Sequence, residues 1–338
     1  MSLKAQDPHI EKEPAGIGRR RFLNAAAALG IGSVALAGCK EESKPAQGGA
    51  AAGGAAPAHG EEAPHQGGAG PVHIPPGQLD THYGLWSSGH TGDARVIGIP
   101  SGRELLRMPC FVPDPLTGWG ITNESKAVMG TKPDGTLEYV VGDTHHMQAS
   151  YKDGIYDGKY CWINDKINAR IARFRLDYFV CDKITKLPNV QGFHGIFPDK
   201  RDPVDPAINY TTRVFCGQEF RIPMPNHGKD LEDTEKYGAL FTCVDALTMD
   251  VKWQARINGN CDLVATSFDG KLAATNQYNL EEADFYAEMM SRERDACLFF
   301  HVARIEQAIK DGKFTHIGDS KVPVVDCRVE NNKDPKSA

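Results

Sequence analysis

The chain has 338 residues, of which 41% are hydrophobic, and it carries a formal net charge of -6. This length accommodates one large domain or two ordinary ones, and the composition is that of a globular protein rather than a disordered one. Lysine and arginine are interspersed with acidic residues and form no basic stripe, so the composition argues against a surface built to bind nucleic acid.

Residues 1–38 have the pattern of an export signal. Arg19 and Arg20 precede Phe22 and Leu23, and a short apolar run of small residues follows. Consecutive arginines before such a run are typical of the twin-arginine signal, which exports proteins that have already folded. The run is shorter than the ~20 residues that a membrane span needs. We therefore predict export to the periplasm by the twin-arginine route, with a weak amphipathic helix as the alternative.

The apolar run ends at Cys39, in the sequence LAGC. This sequence is typical of a bacterial lipoprotein cleavage site, where the cysteine receives the lipid. The overlapping Ala-Leu-Ala at residues 35–37 would serve an ordinary signal peptidase as well. Both routes stay open, and we favour lipidation, which would tether the protein to a membrane.

Residues 39–79 are rich in Gly, Ala and Pro and contain few large apolar side chains. Such a segment cannot bury enough surface to offset its ordering entropy, so we predict a flexible linker. A second polar segment, residues 329–338, ends the sequence and is predicted to be a tail.

Residues 80–328 are predicted to be all-β. Short apolar runs bounded by Gly, Pro, Asn or Asp recur along this region, as expected for antiparallel sheets. In RIARFRLD, Ala172 and Phe174 alternate with Arg173 and Arg175, which is the period of a half-buried strand. The predicted strands have the sequences ARVIGIP, LEYVVGD, KYCWIND, RIARFRLD, YTTRVFCG, ALFTCVDA, DVKWQARING, KLAATNQY and ACLFFHVA. Helical pattern is confined to residues 281–292 and 304–311.

A weak internal repeat favours one all-β architecture. YDGKYCWIND, from Tyr156, and FDGKLAATNQ, from Phe268, share an aromatic-Asp-Gly-Lys start before an apolar strand, and PDGTLEYVVGD, from Pro133, is a looser copy. Turns of this kind before strands are typical of the blades of a β-propeller. At ~40–50 residues per blade, the region supplies about five blades. A β-sandwich is the competing architecture.

Eight cysteines follow Cys39, at positions 110, 161, 181, 216, 243, 261, 297 and 327. No two are close enough for a CxxC metal or redox motif, and several lie inside apolar strand-like runs, where cysteine is commonly a small buried side chain. We predict buried thiols and no specific disulfide.

A histidine pair, His145 and His146, follows the predicted strand LEYVV and Asp143. A further candidate, His194, lies in NVQGFHG near another predicted strand end. Imidazole suits copper, zinc, iron and nickel, and a nearby carboxylate can accept the second ring N–H. However, successive side chains of a regular strand point to opposite faces. Spacing alone therefore leaves open whether the pair binds a metal or is solvated.

From about Tyr83 to Val325 the chain resembles the N-terminal region of the nitrous-oxide reductases. The matching stretches include YGLWSSGHTGDARVIGIPSGRELLRMPCF, TGWGITNESKAVMG, GDTHH, YDGKYCWINDKINARIARFRLD, DKITKLPNVQGFHG, QEFRIPMPNHGKD, QYNLEEADFYAEMMSRERD and IGDSKVPVVD. The resemblance implies a seven-bladed β-propeller followed by a cupredoxin domain. It also implies the two-electron reduction of nitrous oxide to dinitrogen and water, the last step of denitrification.

The resemblance also implies roles for individual residues. His145, His146 and His194 are expected to be three of the seven histidines that hold a tetranuclear copper–sulfide cluster, with Asp143 as a carboxylate that supports them. A calcium site is expected in the stretch YNLEEADFYAEMMSRERD. Its ligands would be Tyr278, Glu281, the backbone carbonyl of Met289, and Asp295, since oxygen donors suit this hard cation.

The chain also departs from the family pattern. The other four cluster histidines, which begin with an Asn-Pro-His-Gly motif, and the dinuclear copper site of the cupredoxin domain do not occur in these 338 residues. Leu263 stands where relatives often have a polar residue near the cluster. We therefore expect the isolated chain neither to assemble the full cluster nor to reduce nitrous oxide.

Three hypotheses follow from these observations. The first is that the chain is part of a nitrous-oxide reductase. Enzymes of this family are homodimers and take electrons from a donor such as a cytochrome c or a cupredoxin. The second is a non-catalytic exported propeller remnant that binds a metal through its histidines, or binds another protein. The third is an unrelated exported β-protein with structural histidines.

Overall fold

The computed structural model describes residues 72–277 and 296–328. Strands predominate within these ranges, so the predicted all-β class is confirmed. No helix in the described part of the chain is long and apolar enough to cross a membrane. The predicted export signal, Cys39, most of the linker and the tail lie outside the described residues.

The first two sheets are antiparallel meanders in which each strand pairs with the next one along the chain. The first sheet contains β1 (His82–Ser87), β2 (Asp93–Ile99) and β3 (Glu104–Pro109). The second sheet contains β4 (Met147–Lys152), β5 (Ile155–Asp165), β6 (Arg170–Arg175) and β7 (Val180–Lys186).

The third and fourth sheets follow the same plan with additions. The third contains β8 (Phe193–Pro198), β9 (Arg213–Gln218), β11 (Tyr237–Asp245) and β12 (Val251–Ile257), with β10 (Ile222–Pro223) paired to β11. The short strand β16 (Val324–Asp326) pairs with β12 in parallel. The fourth sheet contains β13 (Val264–Thr266), β14 (Leu272–Gln277) and β15 (Ala296–His301).

The first strands of successive sheets contact one another in order, β1 with β4, β4 with β8, and β8 with β13. A β-propeller has this arrangement, because the first strand of each blade lies nearest the central axis. Apolar side chains fill the spaces between neighbouring sheets. Phe111 and Phe174 belong to one such cluster, Phe193 and Leu187 to the next, and Phe241 to a third.

Two helices complete the described residues, together with a short 3-10 helix at Thr234–Lys236. The predicted helix at 304–311 is confirmed as α2 (Val302–Lys310), whereas the predicted helix at 281–292 lies outside the described residues. Helix α1 (Asn123–Met129) was not predicted. Thr122 begins it by accepting a hydrogen bond from the N–H of Ser125, and Gly130 ends it at φ 88°, so its capping signals were present in the sequence.

The predicted strand LEYVVGD was wrong. Residues 138–143 form an irregular segment, in which the carbonyl of Val141 accepts hydrogen bonds from Asn168 and Arg170. The N–H of Asp143 donates to Asp165 instead of to a neighbouring strand. Side chains from β5, β6 and the turn between them thus replace the ladder partners that a strand would need.

The predicted half-buried face of RIARFRLD was also wrong, because β6 is covered on both faces. Arg173 is buried along with Ala172 and Phe174. Its guanidinium donates to Asp182 on β7 and to the carbonyl of Ala246 in the next sheet, so its charge is paired. In a sequence pattern an arginine predicts an exposed position. Arg173 can nevertheless lie inside the protein, because its guanidinium is hydrogen-bonded to several acceptors.

The prediction of buried free thiols is confirmed for six cysteines, and no disulfide joins the cysteines of the described ranges. The buried ones are Cys110, Cys161, Cys181, Cys216, Cys243 and Cys261, whereas Cys297 is exposed and Cys327 half-buried. Burial raises the pKa of the enclosed thiols, that of Cys261 to about 12, and so keeps them protonated.

Candidate metal centre

Histidines from two sheets and a carboxylate from a third meet at the beginning of three inner strands. His145 and His146 immediately precede β4, and His194 is the second residue of β8. Asp262 lies just before β13. Because these strands are neighbours around the axis, residues that are far apart in the sequence lie close together in space.

The three imidazoles form a compact group. The Nε2 atoms of His146 and His194 are 3.3 Å apart. The ring centroids of His145 and His194 are separated by 4.9 Å, and those of His146 and His194 by 4.6 Å, both in edge-to-face orientation. The rings of the adjacent pair, His145 and His146, are 6.3 Å apart. His194 therefore lies within reach of both members of the pair.

Carboxylates orient two of the rings. Nδ1 of His194 lies 2.6 Å from Oδ1 of Asp262, so its Nε2 is left with a free lone pair that faces His146. Nε2 of His145 lies 2.8 Å from Oδ2 of Asp143, which leaves Nδ1 of that ring as the nitrogen available to a metal. A carboxylate on the second nitrogen is the usual support of a metal-binding histidine.

The local electrostatics keep His146 neutral. Burial lowers the pKa of His146, and the neighbouring His194 and His145 lower it further. A neutral imidazole has the lone pair that a metal requires, whereas an imidazolium does not. At neutral pH the imidazole of His146 therefore has a lone pair available to a metal.

Sequence reasoning missed Asp262, although alignment of the internal repeats places Asp262 at the position equivalent to His145. In β4 and β5, Met147 pairs with Ile163, and in β13 and β14, Val264 pairs with Thr275. Aligning the two repeats places Ile163 opposite Thr275 and hence the His145–His146 pair opposite Asp262 and Leu263. Each inner strand therefore presents side chains to the site from the same position in its blade.

Sequence reasoning also missed Glu219 and His90. Glu219 is buried, and its carboxylate lies with His194 and Asp262 in a group whose donor atoms are all within 4.8 Å of one another. Lys166 forms an ion pair with Glu219. His90 is exposed, and its Nδ1 is 3.7 Å from Asp143. No pattern in the sequence distinguishes these residues from surface polar residues.

The residues present fit copper. The Nε2 atoms of His146 and His194 lie 3.3 Å apart, a separation that suits either a proton or a cation between them, and neutral imidazole is a good ligand for copper. The carboxylates that support His145 and His194 also offset the positive charge that a bound metal brings.

The family resemblance also singled out a set of calcium ligands and Leu263. The expected calcium ligands, Tyr278, Glu281, Met289 and Asp295, lie outside the described residues. Leu263 is 51% exposed at the edge of the histidine group, and its backbone N–H donates to Asn276.

Comparison with known proteins gives a consistent result. A family model described as "Nitrous oxide reductase propeller repeat 2" matches residues 187–263, which include β8 to β12, His194 and Asp262. Proteins named nitrous-oxide reductase from Cupriavidus necator and Ralstonia nicotianae are each 66% identical to the chain, over 336 and 341 residues. Both alignments cover 99% of this chain and 51% of the relative. One from Pseudomonas fluorescens is 43% identical over 336 residues, covering 98% of this chain and 48% of the relative.

The chain thus spans about half the length of the curated relatives that it matches. Identity of 66% across 336 residues is far beyond chance similarity, and the matched repeat contains the antiparallel strands β8, β9, β11 and β12 of the third sheet. The chain is therefore similar, over about half of their length, to proteins named nitrous-oxide reductase, and it contains a segment that matches the propeller repeat of that family.

Proposed function

We propose that the chain is the propeller part of a copper-dependent nitrous-oxide reductase and supplies three of its copper ligands. The observation that carries the proposal is the convergence of His145, His146 and His194 from two blades, in a chain 66% identical to nitrous-oxide reductases. The substrate of the complete enzyme would be nitrous oxide, which takes up two electrons and two protons to give dinitrogen and water.

The residues of this chain would hold and orient the metal. His146 and His194 offer Nε2, and His145 offers Nδ1 because Asp143 occupies its other nitrogen. Asp262 keeps His194 in the tautomer whose Nε2 is free. Copper, when bound, would supply the electrons and the Lewis acidity that a neutral, weakly basic substrate requires.

The remaining parts of the proposal rest on the resemblance and on sequence pattern. Calcium would be bound by Tyr278, Glu281, the carbonyl of Met289, and Asp295. The protein would act in the periplasm after twin-arginine export, with a lipid tether at Cys39. A homodimer and an electron donor of the cytochrome c or cupredoxin type complete the proposed system.

A chimaera tests the catalytic part of the proposal. We would replace the aligned half of the Cupriavidus necator relative with this chain and measure nitrous-oxide consumption with a reduced dye. We expect activity in the chimaera and its loss in the His145→Ala, His146→Ala and His194→Ala variants. His227→Ala is the matched control, because His227 is a surface histidine paired with Asp230.

Full activity of the His194→Ala variant would contradict the proposed ligand set. A folded chimaera that binds copper through these histidines but consumes no nitrous oxide would instead favour the non-catalytic metal-binding remnant.

A further inference from the structure

The side chain of Asn164 links the two segments that carry the histidines. Asn164 is the tenth residue of β5, and its side chain is fully buried. Its Oδ1 accepts hydrogen bonds from the backbone N–H of His145, at 3.0 Å, and of His146, at 2.7 Å. Its Nδ2 donates to the carbonyl of Phe193, at 2.8 Å.

These bonds explain how adjacent histidines reach one site. In a regular strand, successive N–H groups and successive side chains point in opposite directions. Here both N–H groups of the pair converge on a single oxygen, so the backbone at 145–146 is turned rather than extended. This turn allows the rings of both His145 and His146 to lie beside the site.

The same amide also sets the distance between the two segments. Phe193 directly precedes His194, so a hydrogen bond to its carbonyl fixes the start of β8 relative to the His145–His146 pair. The backbone of the pair is also tied to the first sheet, because the hydroxyl of Ser87, at the end of β1, donates to the carbonyl of His145. Asn164 thus joins the pair to the blade that carries the third histidine.

The internal repeat shows the same device in a second blade. Alignment of YDGKYCWIND with FDGKLAATNQ places Asn276 opposite Asn164. Oδ1 of Asn276 accepts a hydrogen bond from the N–H of Leu263, at 2.9 Å, directly before β13. An asparagine near the end of the second strand therefore holds the residues before the first strand in both blades.

We propose that Asn164 is a positioning residue for the histidine site, whose single amide fixes His145 and His146 relative to His194 and so sets the geometry in which a metal is bound. The proposal rests on the proposed copper function. Asparagine suits the task because it offers an acceptor with two lone pairs and a donor in one rigid plane. Leucine has neither group, and aspartate retains only the acceptor when it is ionised.

The test measures Cu(I) binding to the 338-residue chain by anaerobic competition with a chromogenic chelator. We expect Asn164→Leu and Asn164→Asp to weaken Cu(I) binding about 10–100-fold, the usual effect of removing a residue that supports metal ligands. In X-ray absorption, Asn164→Asp should show fewer histidine nitrogens per copper than the unmodified chain, because only the bond to Phe193 is lost. The isosteric aspartate decides the question if the leucine variant does not fold.

Gln254→Leu is the matched control. Gln254 is fully buried, and its amide donates to the carbonyl of Pro188, so this variant also removes a buried side-chain hydrogen bond to a backbone carbonyl. It should bind Cu(I) as the unmodified chain does. Equal weakening in Gln254→Leu, or unchanged affinity and coordination in folded Asn164 variants, would overturn the proposal.

A His145→Ala/His146→Ala/His194→Ala variant separates this inference from the proposed function. It measures copper held by other groups, such as the exposed thiol of Cys297. If this variant binds Cu(I) as tightly as the unmodified chain, the histidine site itself fails. If the triple variant loses Cu(I) binding while the Asn164 variants bind Cu(I) like the unmodified chain, the histidine site stands and the positioning role fails.

Discussion

Single carboxylates anchor several loops of the protein by accepting hydrogen bonds from more than one partner. Asp80, before β1, accepts from the N–H and the hydroxyl of Ser101, each at 2.9 Å, and from Arg103 at 2.7 Å. Asp165 accepts from the N–H of Asp143 and from Arg170. In each case one carboxylate side chain replaces the backbone partners that an irregular segment lacks.

The role of Asp80 predicts a pH-dependent contribution to stability. The hydrogen bond from Arg103 holds the pKa of Asp80 below its usual range. A carboxyl with a lowered pKa stabilises the folded state above the unfolded pKa, about 4, and this contribution is lost as the pH falls through the folded pKa. We expect Asp80→Asn to lower the free energy of unfolding by a constant amount at pH 5 to 8.

Below about pH 4 the difference between Asp80→Asn and the unmodified chain should shrink. Urea denaturation at a series of pH values measures it. Asp319→Asn is the control, because Asp319 is an exposed carboxylate in a turn far along the chain from Asp80. A difference that stayed constant down to pH 2 would show that Asp80 contributes without its charge.

At the scale of elements, a buried ion pair attaches helix α2 to the third sheet. Arg213 on β9 donates to both oxygens of Glu306, at 2.7 and 2.9 Å, and also to Asp202 at 2.6 Å. The side chain of Arg213 is 5% exposed, so its charge depends on these carboxylates. The indole N–H of Trp253 also lies near Glu306, at 3.4 Å.

We therefore expect Glu306→Ala to lower the free energy of unfolding by about 3 kcal/mol. This is the lower end of the range for breaking a buried ion pair, because Asp202 remains beside Arg213. Chemical denaturation followed by tryptophan fluorescence measures the change. Gln307→Ala, on the exposed face of the same helix, should change stability by less than about 0.5 kcal/mol. Equal effects of the two substitutions would mean that the ion pair does not attach the helix.

At the scale of the whole molecule, the separation of neighbouring blades depends on a glycine beside the histidine site. Gly195 follows His194 in β8, and a Cβ atom there would lie 2.1 Å from the carbonyl oxygen of Asp262. Backbone atoms cannot move aside as the end of a flexible side chain can. The third and fourth sheets approach closely here because residue 195 has no side chain.

Gly195→Ala is expected to destabilise the chain by about 1–3 kcal/mol, as overpacking of a core does. Gly238→Ala is the matched control, because Gly238 is also a strand glycine and its added Cβ would meet only ordinary contacts, 3.4 Å or more away. Thermal unfolding of the two variants provides the measurement. If Gly195→Ala were as stable as Gly238→Ala, blade spacing would not depend on this residue.

Much of the fold was predictable, because apolar periodicity and turn residues act locally. KYCWIND, DVKWQARING and ACLFFHVA each coincide with a strand, β5, β12 and β15. LEYVVGD failed because its pattern is strand-like while its hydrogen bonds go to side chains of another segment. Helix α1 was missed because only seven residues separate its caps, too few for a helical period to stand out.

The site was predictable only in part. Residue types and motifs were enough to identify three side chains with metal-binding chemistry, His145, His146 and His194, and to show which family the chain resembles. The tertiary structure decided that the three rings meet, that Asp262 orients His194, and that the amide of Asn164 turns the histidine pair. Ligand chemistry belongs to each side chain, whereas convergence depends on the packing of blades whose residues are 48 to 68 positions apart in the chain.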